Sequence, residues 1–276
     1  MNRSICKWMS SGLFLRSLLT SGIAEADAID RLDATRYGPG TLIAAMEELS
    51  RTHPPAAVAP LLLLVGHEDA DVARMAAWLL RRMGQGSAGA GNAGTVLADS
   101  PSMAARIAAA TALGELRDAG CVAPLSAALS GDSEPEVRAA AARALGALHR
   151  SGARQPLLTA VDSINEPEPL VRAAAAAALG STPGTTMNDL VLALRDGDPR
   201  VRVEAAWAMG RQGFQTAVGN LQGALQDPDC RVGAAAAWAL AQLNDDSVVD
   251  ALLAATQGPC RLTAQAAHWA LSVIPH

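Results

Sequence analysis

The chain has 276 residues, with 22 Lys and Arg against 27 Asp and Glu, hence a formal net charge of −5. Half of it is apolar but only 3% is aromatic, and most of the apolar share is alanine, the best helix former, so a β-rich fold is excluded. A mildly acidic chain lacks the concentrated Lys and Arg that phosphate contacts need, and no apolar run is long enough to span a bilayer, so neither nucleic acid nor membrane is expected as a partner.

At the N-terminus, Lys7 precedes the apolar stretch Trp8–Leu15, and small residues follow around Ala24–Ala26. The outline is that of an export signal, but Arg16 breaks the apolar run, so a capping helix is the preferred reading and export the lesser one. Residues 23–52 read as a helix pair interrupted at Gly38-Pro39-Gly40, with acids at Glu25, Asp27, Asp30, Asp33, Glu47 and Glu48 as a solvated outer face. Residues 1–52 are thus expected to be N-terminal capping helices, and 53–276 a repeat array. Within that array the Gly84–Gly94 stretch holds five glycines, which predicts an irregular, mobile segment at 84–95 in the place of a helix. Its formal GxGxxG follows a helix rather than a strand, which rules out a dinucleotide loop.

From there the chain repeats. A turn acid or Ser, often followed by Pro, leads to Val and Arg, then to alanines, then to Leu-Gly. Examples are Glu134-Pro135-Glu136-Val137-Arg138 running to Ala144-Leu145-Gly146 and Asp198-Pro199-Arg200-Val201-Arg202 running to Ala208-Met209-Gly210. With the Val slot as anchor, the copies fall at 72, 105, 137, 171, 201, 232 and 263. The acid caps a helix, Pro occupies its first position, and the anchor, the alanines at +4 and +7 and the Leu or Met at +8 share one face. Gly at +9 is read as the helix stop. A second apolar-periodic stretch precedes most copies, for example Val122–Leu129 and Met187–Leu194. The fold predicted is all-α: a right-handed α-solenoid of about seven antiparallel helix pairs of roughly 31 residues.

Three sets of side chains stand out. Arg106, Arg138, Arg172 and Arg202 occupy +1 in four consecutive copies and are expected to pair with turn acids such as Asp132, Glu166, Asp196 or Asp198. Trp78, Trp207, Trp238 and Trp269 all sit at +6, at the margin of the core face. With Arg200 and Arg231 at −1 and Arg211 at +10, the last three form a candidate binding ladder along the second helices. The four cysteines, Cys6, Cys121, Cys230 and Cys260, are scattered without a CxxC and read as reduced thiols of a cytoplasmic protein. Cys230, Cys260 and His268 lie in adjacent copies, but buried thiols and a surface His account for them better than a metal site. No catalytic constellation, metal or cofactor is expected. The last copy, ending Trp269-Ala270-Leu271-Ser272-Val273-Ile274, is apolar over most of its circumference and is expected to be covered by a partner or by a second copy of the chain.

The acid-Pro-x-Val-Arg…Ala-Leu-Gly pattern resembles HEAT repeats, and its short period resembles the subclass found in phycobilisome lyases. The resemblance implies a stack whose concave inner surface, lined by the second helices, binds another protein. An interaction scaffold or adaptor is therefore the first functional expectation. The alternative is a bilin lyase or isomerase subunit acting on phycobiliproteins: Met75-Ala76-Ala77-Trp78-Leu79 and Glu204-Ala205-Ala206-Trp207-Ala208-Met209-Gly210 are similar to the lyase signature, although its tyrosines and second Trp are missing. Iron hydroxylases built from such repeats carry several His-Glu pairs, whereas His67-Glu68 stands alone here.

Overall fold

The computed structural model describes residues 24–274, so the signal-like segment lies outside the described residues except for its last few positions. Sixteen α-helices and no strand are found among the described residues. α1 (24–30) and α2 (Pro39–Leu49) precede seven helix pairs. The first helices of the pairs are α3 (Val58–Leu64), α5 (Gly86–Asp99), α7 (Val122–Gly131), α9 (Arg154–Val161), α11 (Met187–Leu194), α13 (Val218–Ala224) and α15 (Val249–Thr256). The second helices are α4 (Ala70–Arg82), α6 (Met103–Leu116), α8 (Pro135–Ala147), α10 (Pro169–Leu179), α12 (Pro199–Gln212), α14 (Cys230–Leu243) and α16 (Arg261–Val273). No described helix is long and apolar enough to cross a membrane.

The repeat register is the packing register. Every anchor from Val72 to Thr263 is buried, and so is the Leu or Met at +8 in the first six pairs. Each second helix packs closely on the next, while the first helices touch one another much less. The row of second helices is therefore the shorter, inner side of the stack.

Glycine at +9 does not stop these helices. Gly114, Gly146 and Gly210 lie inside α6, α8 and α12, and Gly180 caps α10 with an ordinary right-handed backbone. The helices end three residues later, where Gly84, Arg117, His149, Gly213 and Asn244, all at +12, take positive φ. The +9 glycines instead let helices approach. A Cβ on Gly146 would stand 2.8 Å from the backbone Cα of Ala178, the +7 alanine of the next repeat, and Gly114, Gly180 and Gly210 face Ala144, Ala208 and Ala239 in the same way. A glycine notch against an alanine knob is what an alanine-rich solenoid offers in place of large interdigitating side chains.

The Gly-rich segment expected to be irregular at 84–95 is mostly helix, because α5 spans Gly86–Asp99. Tertiary packing overrides propensity here. Gly89, Ala90, Ala93 and Leu97 are buried, and a Cβ on Gly89 would meet Leu116 Cδ2 at 2.9 Å, so the small face of α5 is what lets it fit. Its outer face is held by hydrogen bonds from Asn92 Nδ2 to the Leu62 carbonyl and from Ser87 Oγ to Asp118. Gly91 meets nothing, so Gly91→Ala is expected to raise stability by about 0.5–1 kcal/mol. Gly89→Ala should forfeit that gain against Leu116, and urea denaturation of the two variants checks the contrast.

Two of the cysteines read as reduced thiols are bonded to each other: Cys230 and Cys260 form a disulfide, while Cys121 is free and buried. Sequence could not place them side by side until the repeat register did. Disulfides are uncommon in reducing compartments, so cysteine usage no longer speaks for a cytosolic location.

Candidate interaction groove

The +1 arginines build the frame that holds the inner face. Arg106, Arg138, Arg172 and Arg202 each donate through Nε and Nη2 to one carboxylate of the next turn, Asp132, Glu166, Asp196 and Asp227 in order, at 2.7–3.1 Å. Through Nη1 each also donates to one or two carbonyls of its own preceding turn, as Arg172 does to Glu166 and Pro167. Each carboxylate in turn accepts the backbone N–H two residues on, Glu134, Glu168, Asp198 or Asp229. Every guanidinium thus joins two turns and three helices, and these arginines leave no free charge for a ligand. Asp198, one of the acids read as a partner, pairs with Arg200 instead.

Along the exposed side of the second helices run three adjoining open cavities. The first, of about 500 Å³, lies between α2 and α4 and holds Trp78 and Met75. It shares Arg74 and Glu115 with a second of about 300 Å³, which shares Arg143 with a third of about 340 Å³ reaching Arg200 and Arg231. Together they make one groove from α2 to α14. Each part is at the small end of the range for enclosed small-molecule sites, whereas their continuity suits an extended chain. A larger cavity of about 580 Å³ lies apart, at the turns, with Arg138 and Glu166 in its wall. Its charged groups are already spent on each other.

The +6 tryptophans divide. Trp207 and Trp238 are half-buried with ring centroids 4.1 Å apart and planes tilted by 47°, and Trp238 also covers the Gly210 notch. Trp78 carries Arg82 over its face at 4.8 Å. Trp269 is 43% exposed and makes no ring contact with Trp238, so the ladder of three is a pair and a single indole. In the same end helix, Ile274 and Leu271 turn into the core and leave Leu262, Trp269 and Val273 exposed, a narrower apolar strip than the sequence predicts.

The remaining arginines divide too. Arg200 and Arg231 line the third cavity, and each folds onto the capping acid two residues back, Asp198 and Asp229, through Nε and Nη2, with no hydrogen bond from Nη1 among the described residues. The Arg231 contact, with the backbone N–H of Arg231, holds the Asp229 carboxyl down at about 2. Arg211 donates to the Ala177 carbonyl of the preceding repeat at 2.9 Å and so serves the stack. Sequence reasoning met Glu204 only within the lyase-like segment and did not name it as a site residue. It lies half-buried one turn from Trp207, lines the groove beside Arg200, and has no hydrogen-bond partner among the described residues. Burial pushes its carboxyl up, opposed by the charge of Arg211. An acid in a +3 slot that is alanine in α8, α10 and α14 was the available signal.

The sign of the Glu204 effect follows. A carboxyl raised in the folded state costs stability in full above its folded value, and that cost disappears as pH falls to the ordinary glutamate range. Glu204→Gln is therefore expected to raise the melting temperature at pH 7 and to lose that advantage at acidic pH. Thermal denaturation across pH checks it.

The profile of the HEAT repeats family matches residues 94–180 and 187–272, more than half of the chain. The chain belongs to the HEAT-repeat family. No curated protein matches it in sequence. Among solved structures, the HEAT-repeat chain is similar to YibA of E. coli, at 15% identity and a TM-score of 0.52, covering 92% of this chain and 95% of YibA. It is similar to Kap121p bound to the SUMO protease Ulp1p, at 13% identity and a TM-score of 0.62, covering 92% of this chain but only 33% of Kap121p. The complex of CpcE and CpcF of phycocyanin lyase from Nostoc sp. PCC7120 also matches, at 21% identity and a TM-score of 0.47, over 78% of this chain and 94% of that one. At these identities the likeness is one of fold.

Proposed function

We propose that this HEAT-repeat protein is a non-enzymatic scaffold that holds an extended segment of another protein along its inner groove. The observation that carries the reading is the continuity of that groove from α2 to α14, at whose far end the unpartnered Glu204 lies one helical turn from the half-buried Trp207 of the Trp207–Trp238 pair. Half-buried indoles rimmed by arginines are the composition that concentrates binding energy at protein interfaces. The alanine floor lets a bound backbone approach closely, and the paired arginines hold the groove's curvature fixed, which lowers the cost of ordering on binding. Kap121p, a solenoid of similar fold, is bound to another protein, the SUMO protease Ulp1p.

Replacing Trp207 and Trp238 together by alanine is expected to weaken partner binding by about 2 kcal/mol, roughly 30-fold, while costing the fold less. Affinity purification identifies the partner, and titration of wild type and variant then decides. A large fall in melting temperature with binding unchanged would make the two indoles packing residues. An absorbance titration with a bilin separates this reading from the lyase alternative, since a scaffold gives no spectral shift.

A further inference from the structure

Four successive junctions between second helices, from α6–α8 to α12–α14, carry the arginine clasp. The next junction, α14–α16, lacks both halves of it. The arginine slot is Gly233, and the slot of the partner acid is Gly258. In their place Cys230, the first residue of α14, is bonded to Cys260, the cap residue of α16, with their Cα atoms 5.8 Å apart. The helices come so close that a Cβ on Gly233 would stand 2.5 Å from Thr263 Oγ1, and an arginine could not enter. Thr263 Oγ1 donates to the Cys230 carbonyl at 3.2 Å, and no ion pair joins α14 to α16 among the described residues.

We propose that the Cys230–Cys260 disulfide replaces the ion-pair clasp at this junction and makes the docking of the α15–α16 repeat, with Trp269, depend on redox state. A dithiol reductant would attack one of the two sulfurs, form a mixed disulfide, and close to its own cyclic disulfide. Two electrons and two protons pass to the chain, and Cys230 and Cys260 are left as thiols. Cys121 takes no part: it is buried, and desolvation pushes its thiol up to about 11, so little thiolate is available for exchange. With the covalent link gone, the repeat keeps, among the described residues, the Thr263 hydrogen bond, one from Gln222 Nε2 to the Ser247 carbonyl, and its apolar contacts. In a solenoid whose stability is a sum of neighbour terms, the repeat beyond a junction that lacks the clasp is then the first to open.

The test uses the full chain purified without reductant. Alkylation and mass spectrometry should find Cys230 and Cys260 linked. Hydrogen exchange, measured before and after addition of dithiothreitol, should accelerate at least tenfold in α15 and α16 on reduction, with α8–α12 unchanged. The Cys230→Ser, Cys260→Ser double variant should show the fast rates from the outset and no response to dithiothreitol. Free thiols at both positions in the air-oxidised chain would overturn the proposal. So would unchanged exchange on reduction, or acceleration spread over α8–α12, which would make the bond a general stabiliser. The wild-type measurement decides alone if the double variant does not fold.

Discussion

Arg172→Ala is expected to cost about 3–5 kcal/mol, because it strands a carboxylate and two carbonyls in a buried site. Arg172 is only 6% exposed, and its three nitrogens engage Asp196, Glu166 and Pro167. Arg172→Lys should recover little, since an ammonium cannot bridge a carboxylate and two carbonyls with the geometry of a planar fork. The control is Arg74→Ala: Arg74 pairs with Asp71 where both are largely exposed, and the loss should stay within about 0.5 kcal/mol. Urea denaturation measures all three. Because Arg172 sits in the middle of the array, its loss should also lower the slope of the transition as the two halves begin to unfold separately.

The second large effect belongs to the glycine notches. Gly146→Leu is expected to destabilise the chain by on the order of 3 kcal/mol, although leucine is the better helix former. The obstacle is backbone: the Cα of Ala178 lies 2.8 Å from where the new Cβ would stand, and it cannot move without shifting α10. Gly131→Ala, at a site open to solvent, should be neutral or slightly stabilising. Thermal denaturation of the pair distinguishes a packing role for Gly146 from a helix-stop role, under which Gly146→Leu would cost no more than the loss of a cap.

These two predictions mark where sequence reading worked and where it stopped. The period, the anchor valines and the clasp arginines were legible because each reports a local rule that recurs along the array, the valine in five of the seven copies and the arginine in four, and three of the four paired acids could be named from their place in the turns. The glycine role was misread because a helix stop is a local inference, whereas the approach of Gly146 to Ala178 exists only once two helices are placed. Helix α5 was missed for the same reason: propensity argues against it, and only Leu80 and Leu116 closing over Gly89 argue for it. The disulfide left a trace in the sequence, since Cys230 and Cys260 are 30 residues apart, one repeat, at the junction where Gly233 and Gly258 empty the clasp. Of the groove, the tryptophan and arginine positions were legible, but whether each faces a ligand or its own neighbour was not. Arg211 serves the stack, Arg200 and Arg231 keep one edge toward the groove, and Glu204 gave no pattern beyond its departure from alanine.

The claim that the inner groove carries the function is tested most directly by photo-crosslinking. A photoreactive residue is placed at Val203, in the groove wall beside Glu204, or at Leu192, 68% exposed on first helix α11. Crosslinking in the native cell extract should give a discrete adduct with one partner from position 203, abolished when Trp207 and Trp238 are alanine, and none from 192. An adduct from 192 with none from 203 would contradict the account.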